Sequence, residues 1–187
     1  IYFGENAISH NLIMCNKANL LNQSSFRLGV PGSGKSFSVK EEIAFLILNT
    51  DDDILIADPE GEYAPLMDGL GSVVRVAAGG KDRLNAMYMV DGYGENNPIV
   101  VKSQFIMSLV ERIDPKGVGP QHNSIIDRCT GDLYENAKHG GPAPTLTALR
   151  EMLLEQPESE ARGIALALEL FTTGSLDIFG HESTVDL

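Results

Sequence analysis

The sequence predicts an α/β fold in which a parallel sheet carries an inserted all-helical subdomain. Three observations lead there. Apolar runs of strand length alternate with helical periodicity through residues 12–77. A glycine-rich loop joins one of those runs directly to a helix. Beyond residue 97 helical periodicity alone continues, to about Thr173.

The elements follow in chain order. Leu12 to Cys15 is a short apolar run and predicts a strand. Phe26 to Val30 predicts a second strand that enters the glycine-rich loop. From Lys35 to Leu48 the apolar residues Val39, Ile43, Leu46 and Ile47 recur at three- and four-residue steps, so a helix is expected. Asp51, Asp52 and Asp53 end it. Ile54 to Ala57 is a continuous apolar run, the pattern of a strand buried on both faces of a parallel sheet. A helix over Tyr63 to Leu70 and a strand over Ser72 to Ala77 complete the alternation.

A Gly- and Asn-rich loop, Asp91 to Pro98, separates this part from four amphipathic helices. Their expected core stripes are Val101, Phe105, Leu109 and Ile113; then Ile126, Cys129, Leu133 and Ala137; then Leu146, Leu149 and Leu153; then Ala161, Ile164, Leu168 and Phe171. Pro144-Thr145 signals the start of the third, and Glu158 and Glu160 suit the positive end of the fourth. The expected organisation is an α/β core over residues 1–97, a helical subdomain over 98–173, and a return to the core over 174–187.

Composition limits the function classes. The 187 residues carry a formal charge of −12, which disfavours direct nucleic-acid binding, because such binding draws on Lys and Arg neutralising phosphates. The segment 51–62 holds Asp51, Asp52, Asp53, Asp58, Glu60 and Glu62 and no base. Cys15 and Cys129 stand apart, and the four histidines lack metal-ligand spacing, so neither a disulfide nor a zinc site is expected. The sequence has no basic-then-apolar leader pattern and no apolar run near the 18–20 residues or so that span a bilayer.

The chemistry concentrates in residues 29–36, Gly29-Val30-Pro31-Gly32-Ser33-Gly34-Lys35-Ser36, which fill every position of the P-loop pattern between an apolar run and a helix. Glycines permit positive φ and close backbone approach to phosphates. The loop amides and the helix N-terminus then attract the anion. Lys35 is the candidate charge for the β- and γ-phosphates, and Ser36 the candidate hydroxyl for Mg²⁺, so ATP and Mg²⁺ are the expected ligands.

A second acidic motif, Asp58-Pro59-Glu60-Gly61-Glu62-Tyr63, follows the apolar run Ile54 to Ala57. Acids at the C-terminal end of a parallel strand face the ligand crevice of an α/β sheet. Three readings stay open. Asp58 is the Walker-B acid that helps hold Mg²⁺; Asp58 or Glu60 orients the attacking water; or these acids cap the element that follows. Nothing else in the chain is a better Walker-B candidate. Val73 to Ala77 contains Arg75, and Leu176 to Phe179 is short.

These stretches, together with Gly4-Glu5-Asn6, Ser9, Leu12-Ile13-Met14, and the later segments at 125–129, 153–161 and 173–183, resemble the conjugative-transfer ATPases of type IV secretion systems. The likeness is to VirB-type proteins, above all those of integrative conjugative elements. It implies a RecA-like core, ATP with Mg²⁺, and a large protein seated peripherally at the cytoplasmic face of the membrane. The implied partners are other secretion and conjugation subunits, with self-association into a homo-oligomer open. The resemblance also implies that the Walker-B strand and the arginine-finger segment follow residue 187, which leaves autonomous hydrolysis by these residues in doubt. Glu60, 25 residues after Lys35, is similarly placed to the glutamate that activates water in RecA-type recombinases. Three functions are compatible with all this: an energy-coupling ATPase for channel or pilus assembly or substrate movement, a hexameric DNA-pumping translocase, and a nucleotide-gated scaffold without turnover.

Overall fold

The computed structural model describes residues 2–77, 79–90, 92–93, 97–114 and 118–185. They form two compact units, one ending at Val73 and the other beginning at Val74.

The first unit opens with a hairpin of β1 (Tyr2–Glu5) and β2 (Leu12–Met14). The strands are antiparallel, with Glu5 opposite Leu12 and Gly4 opposite Ile13, and an irregularity between Tyr2 and Gly4. The Asn6 side chain organises the turn by accepting the amides of Ile8 at 2.9 Å and Ser9 at 3.0 Å, an Asx-type local bond. The long element of this unit is α1 (Lys35–Asn49), in which Ile43 is buried. The helix expected over Tyr63 to Leu70 is only a 3₁₀ turn, Ala64–Met67. Gly61 and Gly69, at φ 71° and 74°, bracket it in conformations that a helix does not continue through.

The sheet corrects the expected fold class. Among the described residues there is one sheet, of two antiparallel strands, and not the parallel sheet of a RecA-like P-loop NTPase core. Leu12–Met14 is a strand, but the apolar runs at 26–30, 54–57 and 72–77 are not. A continuous apolar run signals burial; a strand also needs a neighbour to complete its hydrogen-bond ladder. None of these runs finds one among the described residues. Phe26, Leu28 and Leu55 are accordingly more than 90% exposed.

The second unit is helical: α2 (Pro98–Ile113), α3 (Pro120–Lys138), α4 (Leu146–Leu154) and α5 (Ser159–Thr172). The starts follow their sequence signals. Pro98 and Pro120 occupy first-turn positions where no amide partner is needed. Thr145 caps α4 by accepting the Ala148 amide at 3.1 Å. The core joins Ile106, Val110, Ile126, Cys129, Leu149, Leu153, Ile164 and Leu168, all at most 2% exposed. Each such aliphatic side chain contributes about 1.5–3 kcal/mol when fully buried, which is why this unit needs no staple.

One stripe differs from its expectation by a single position. In α2 Val101 and Phe105 are exposed, and the buried face is Lys102, Ser103, Ile106 and Val110. Lys102 is only 5% exposed. Its ammonium donates to the carbonyls of Ala86 at 3.2 Å and Tyr88 at 2.9 Å, and lies 4.6 Å from the Tyr93 ring and 5.4 Å from the Phe105 ring. Two carbonyl dipoles and two ring faces replace water around the charge. Burial still pushes its pKa below the ordinary lysine value. Tyr134 donates its hydroxyl to the Met87 carbonyl, so the 86–88 segment is fastened to both α2 and α3.

The segment 177–184 threads back through the same unit. Leu84 donates its amide to Ile178 at 2.8 Å, Thr184 to Arg83 at 3.1 Å, and Thr147 its hydroxyl to Gly180 at 2.7 Å. A β-carbon at Gly180 would stand 2.4 Å from the Phe171 carbonyl oxygen, so this passage requires glycine.

Candidate functional site

Residues 29–36 form a tight loop that runs into α1. Ser33 donates its amide to the Val30 carbonyl at 3.2 Å. Gly32 and Gly34 take φ values of 78° and 83°, a region costly for residues with a β-carbon. Gly29 faces Ser33 so closely that a β-carbon would lie 2.5 Å from its hydroxyl oxygen. Gly29 through Gly34 are exposed, whereas Lys35 and Ser36, the first residues of α1, are half-buried.

No side chain caps the N-terminus of α1, and no acid stands in its first turn. The first-turn amides of a 15-residue helix therefore keep their donor capacity and its positive end its field. Lys35 reaches back across the loop and donates to the Val30 carbonyl at 3.2 Å. A carbonyl is a weaker partner for an ammonium than a phosphate oxygen. The loop thus offers backbone donors, a positive helix end and, among the described residues, a lysine that forms no ion pair with an acid.

The limb that leads into the loop is bolted to α1. Arg27 donates to the Ser38 hydroxyl at 3.2 Å and to the Glu42 carboxylate. Lys17 donates to the same carboxylate and, at 3.2 Å, to the Ser25 hydroxyl. Glu42 thus gathers two cations. Sequence reasoning missed this network. The signal was the scarcity of bases: residues 1–73 contain only Lys17, Arg27, Lys35 and Lys40, and each has a defined use.

The acidic motif forms a second tight turn. The Asp58 carboxylate accepts the Tyr63 amide at 2.8 Å, and Gly61, at φ 71°, lets the intervening backbone curl around it. That bond, foremost, holds the Asp58 carboxyl below its ordinary 3.8, against some desolvation; the amides of Glu62, Gly61 and Glu60 add to the lowering. Glu60 and Glu62 are exposed on the turn. The Asp58–Tyr63 bond closes the turn just before the 3₁₀ turn Ala64–Met67, which has no side-chain cap of its own, and decides among none of the three readings. Tyr63 also meets α1, with the Lys40 ammonium 5.6 Å from its ring centre. The two motifs are linked in this way, since no hydrogen bond or ion pair joins a residue of 29–36 directly to Asp58 or Glu60 among the described residues.

The sign of the Asp58 shift gives a prediction. A carboxyl whose pKa is lowered by folding stabilises the turn above its unfolded value, near 3.9 or so, and that contribution fades as pH falls through the lower folded value. The Tyr63 amide resonance should therefore titrate below pH ~4 in a two-dimensional NMR series, and Asp58→Asn should abolish that step. A Tyr63 resonance insensitive to pH in the parent would contradict the bond.

Among the described residues no group of three or more His, Cys, Asp or Glu side chains converges as a metal site, and no helix is long and apolar enough to cross a membrane. A cleft in the second unit is lined by Gln121, Ser124, Arg128, Glu158 and Glu160. Arg128 there is already committed, to Glu158 at 2.8 Å and Gln156 at 2.9 Å, so the cleft offers no unpaired cation to a phosphate.

No protein-family model and no curated protein matches the chain. Among solved structures it is similar to VirB4 of Thermoanaerobacter pseudethanolicus, with a TM-score of 0.74 and 18% sequence identity. The similarity covers 100% of this chain and 53% of that one. At that identity the likeness is one of fold. The chain is therefore similar in fold to VirB4 along its whole length, and it spans about half the length of that protein.

Proposed function

We propose that the chain carries the ATP-gripping part of a motor that energises conjugative DNA transfer or the assembly of a type IV secretion channel or pilus. The observation that carries this reading is the loop of residues 29–36, with Gly32 and Gly34 at positive φ and an uncapped helix N-terminus behind them. The fold likeness to VirB4 supports the choice among P-loop proteins.

In this reading residues 1–97 carry the nucleotide chemistry, 98–173 form the helical subdomain, and 174–187 return to the core. Residues Gly29, Val30, Pro31, Gly32, Ser33 and Gly34 would wrap the phosphates, with backbone amides from all but Pro31, which has no N–H, and Lys35 would neutralise the β- and γ-phosphates. Ser36 and Asp58 are the residues to hold Mg²⁺. Among the described residues no acidic cluster is preformed, and that ion keeps several waters and binds through one or two protein groups plus the phosphates themselves. Bound Mg²⁺-ATP would supply the phosphoryl transfer whose free energy drives the motor. Glu60 would accept the proton of the attacking water. The partners are other secretion and conjugation subunits and further copies of the chain, peripherally at the inner face of the membrane. The charge of −12 argues against a direct grip on DNA.

Calorimetric titration of the full chain with Mg²⁺-ATP tests the reading. Saturable binding is expected, and added DNA should not change the affinity. No binding at millimolar ATP would overturn the assignment, and DNA-stimulated turnover with steep salt dependence would redirect it to a DNA pump.

A further inference from the structure

The acidic turn and the phosphate-loop helix are held together by a contact that neither motif contains in full. Tyr63 closes the turn with its backbone and faces α1 with its ring. Its amide donates to Asp58 at 2.8 Å, and its ring lies 5.6 Å from the Lys40 ammonium. Lys40 stands four residues after Ser36 on α1, so the two side chains project from neighbouring positions of one helix face. Tyr63 is half-buried, as is Lys40, and no carboxylate forms an ion pair with Lys40 among the described residues.

From this geometry we infer that Tyr63 and Lys40 are a positioning pair, which fixes the turn bearing Glu60 to the helix that begins at the phosphate loop. The physical reasons are three. Asp58 and Gly61 make residues 58–63 a small closed unit, so a hold on Tyr63 is a hold on the whole turn. The pair spans two segments that share no direct hydrogen bond between residues 29–36 and Asp58 or Glu60 among the described residues. A cation over a ring tolerates small shifts of distance better than a directional hydrogen bond does. The pair therefore keeps the turn on α1 through small displacements of the helix start. The contact itself stands whether or not the chain is an ATPase; only its consequence for catalysis rests on the function proposed above.

The test is amide hydrogen exchange on the full chain, without nucleotide and with Mg²⁺-ATP, in the parent and in Lys40→Met, Tyr63→Leu and Tyr63→Phe. Tyr63→Phe keeps the ring and should exchange like the parent. Lys40→Met and Tyr63→Leu should each speed exchange over 58–63 without nucleotide by about two- to fivefold, the lower end of the range for cation–ring contacts, as suits a half-buried pair. The double variant should be no faster than the quicker single one. With Mg²⁺-ATP, the parent should show added protection at both 30–37 and 58–63. The two single variants should keep the first and lose most of the second. ATP affinity should hold in both, as in Tyr63→Phe.

Unchanged exchange over 58–63 in Lys40→Met and Tyr63→Leu overturns the positioning pair, whatever the nucleotide does. Equal acceleration over the whole first unit overturns it too, because that marks a loss of general stability. Absence of protection at 30–37 in the parent defeats the nucleotide reading instead, and leaves the contact to be judged on the nucleotide-free arm.

Discussion

Replacing Lys35 by alanine is expected to weaken Mg²⁺-ATP binding by about 10²-fold while leaving the fold in place. A charged hydrogen bond contributes roughly 1.5–3 kcal/mol, and about 1.4 kcal/mol is a factor of ten in affinity. Among the described residues Lys35 donates to the Val30 carbonyl at 3.2 Å, and that carbonyl also accepts the Ser33 amide. Truncation therefore leaves no buried orphan on the protein side. The cost to folding should be at most about 1 kcal/mol. Calorimetry reads the affinity, and urea denaturation reads the fold. Parental affinity in Lys35→Ala would refute the phosphate-loop assignment. A collapse of stability alongside affinity would instead make Lys35 a structural clamp of the loop.

That test separates what the sequence made legible from what it did not. The tight loop before α1 was legible because its signal is local. The glycines, lysine and helix start of residues 29–36 are contiguous in sequence, and Gly32 and Gly34 take positive φ. The four helices of the second unit were legible for a similar reason, since period and capping residues are also local. The Thr145 cap was foreseen and is present. The face of α2 was misjudged because Lys102 looks like a surface residue, and only distant groups, the Ala86 and Tyr88 carbonyls and the Tyr93 ring, make its burial tolerable.

The strands were the least legible. Phe26 to Val30 and Ile54 to Ala57 have strand composition, yet pairing depends on what lies beside them, and composition carries no information about that. The candidate site divides along the same line. Asp58 and Tyr63 are five residues apart, and an acid that accepts a backbone amide across a Gly-containing turn is a local pattern. The gathering of Arg27 and Lys17 by Glu42, and of Tyr63 by Lys40, joins segments with no shared periodicity. Scarcity of bases in an acidic stretch was the one sequence signal that pointed there.

The second large effect concerns Glu60. It stands exposed on a turn closed by the Asp58–Tyr63 bond, directly before Gly61 at φ 71°, so its backbone is fixed while its carboxylate stays solvated and able to accept a proton. Asp58 is less suited to that work. Its carboxylate is engaged by the Tyr63 amide, and the same bond lowers its proton affinity. Glu62 is the rival: it is also exposed, but it lies beyond the glycine, where the chain has already turned. Glu60→Gln keeps size and one acceptor oxygen, and replaces the basic oxygen and its negative charge with an amide NH₂. If the proposed function holds, the expected result is unchanged ATP affinity with kcat reduced by about 10²-fold, and Glu62→Gln should stay near the parent. Near-parental turnover in Glu60→Gln would leave Glu60 a turn residue without a catalytic part. If Glu62→Gln lost the turnover instead, the base would lie on the far side of Gly61. Equal losses in both variants would mean that the charge of the turn matters and not the proton acceptor. Salt dependence decides that last case: a field effect fades as ionic strength rises, whereas loss of a general base does not.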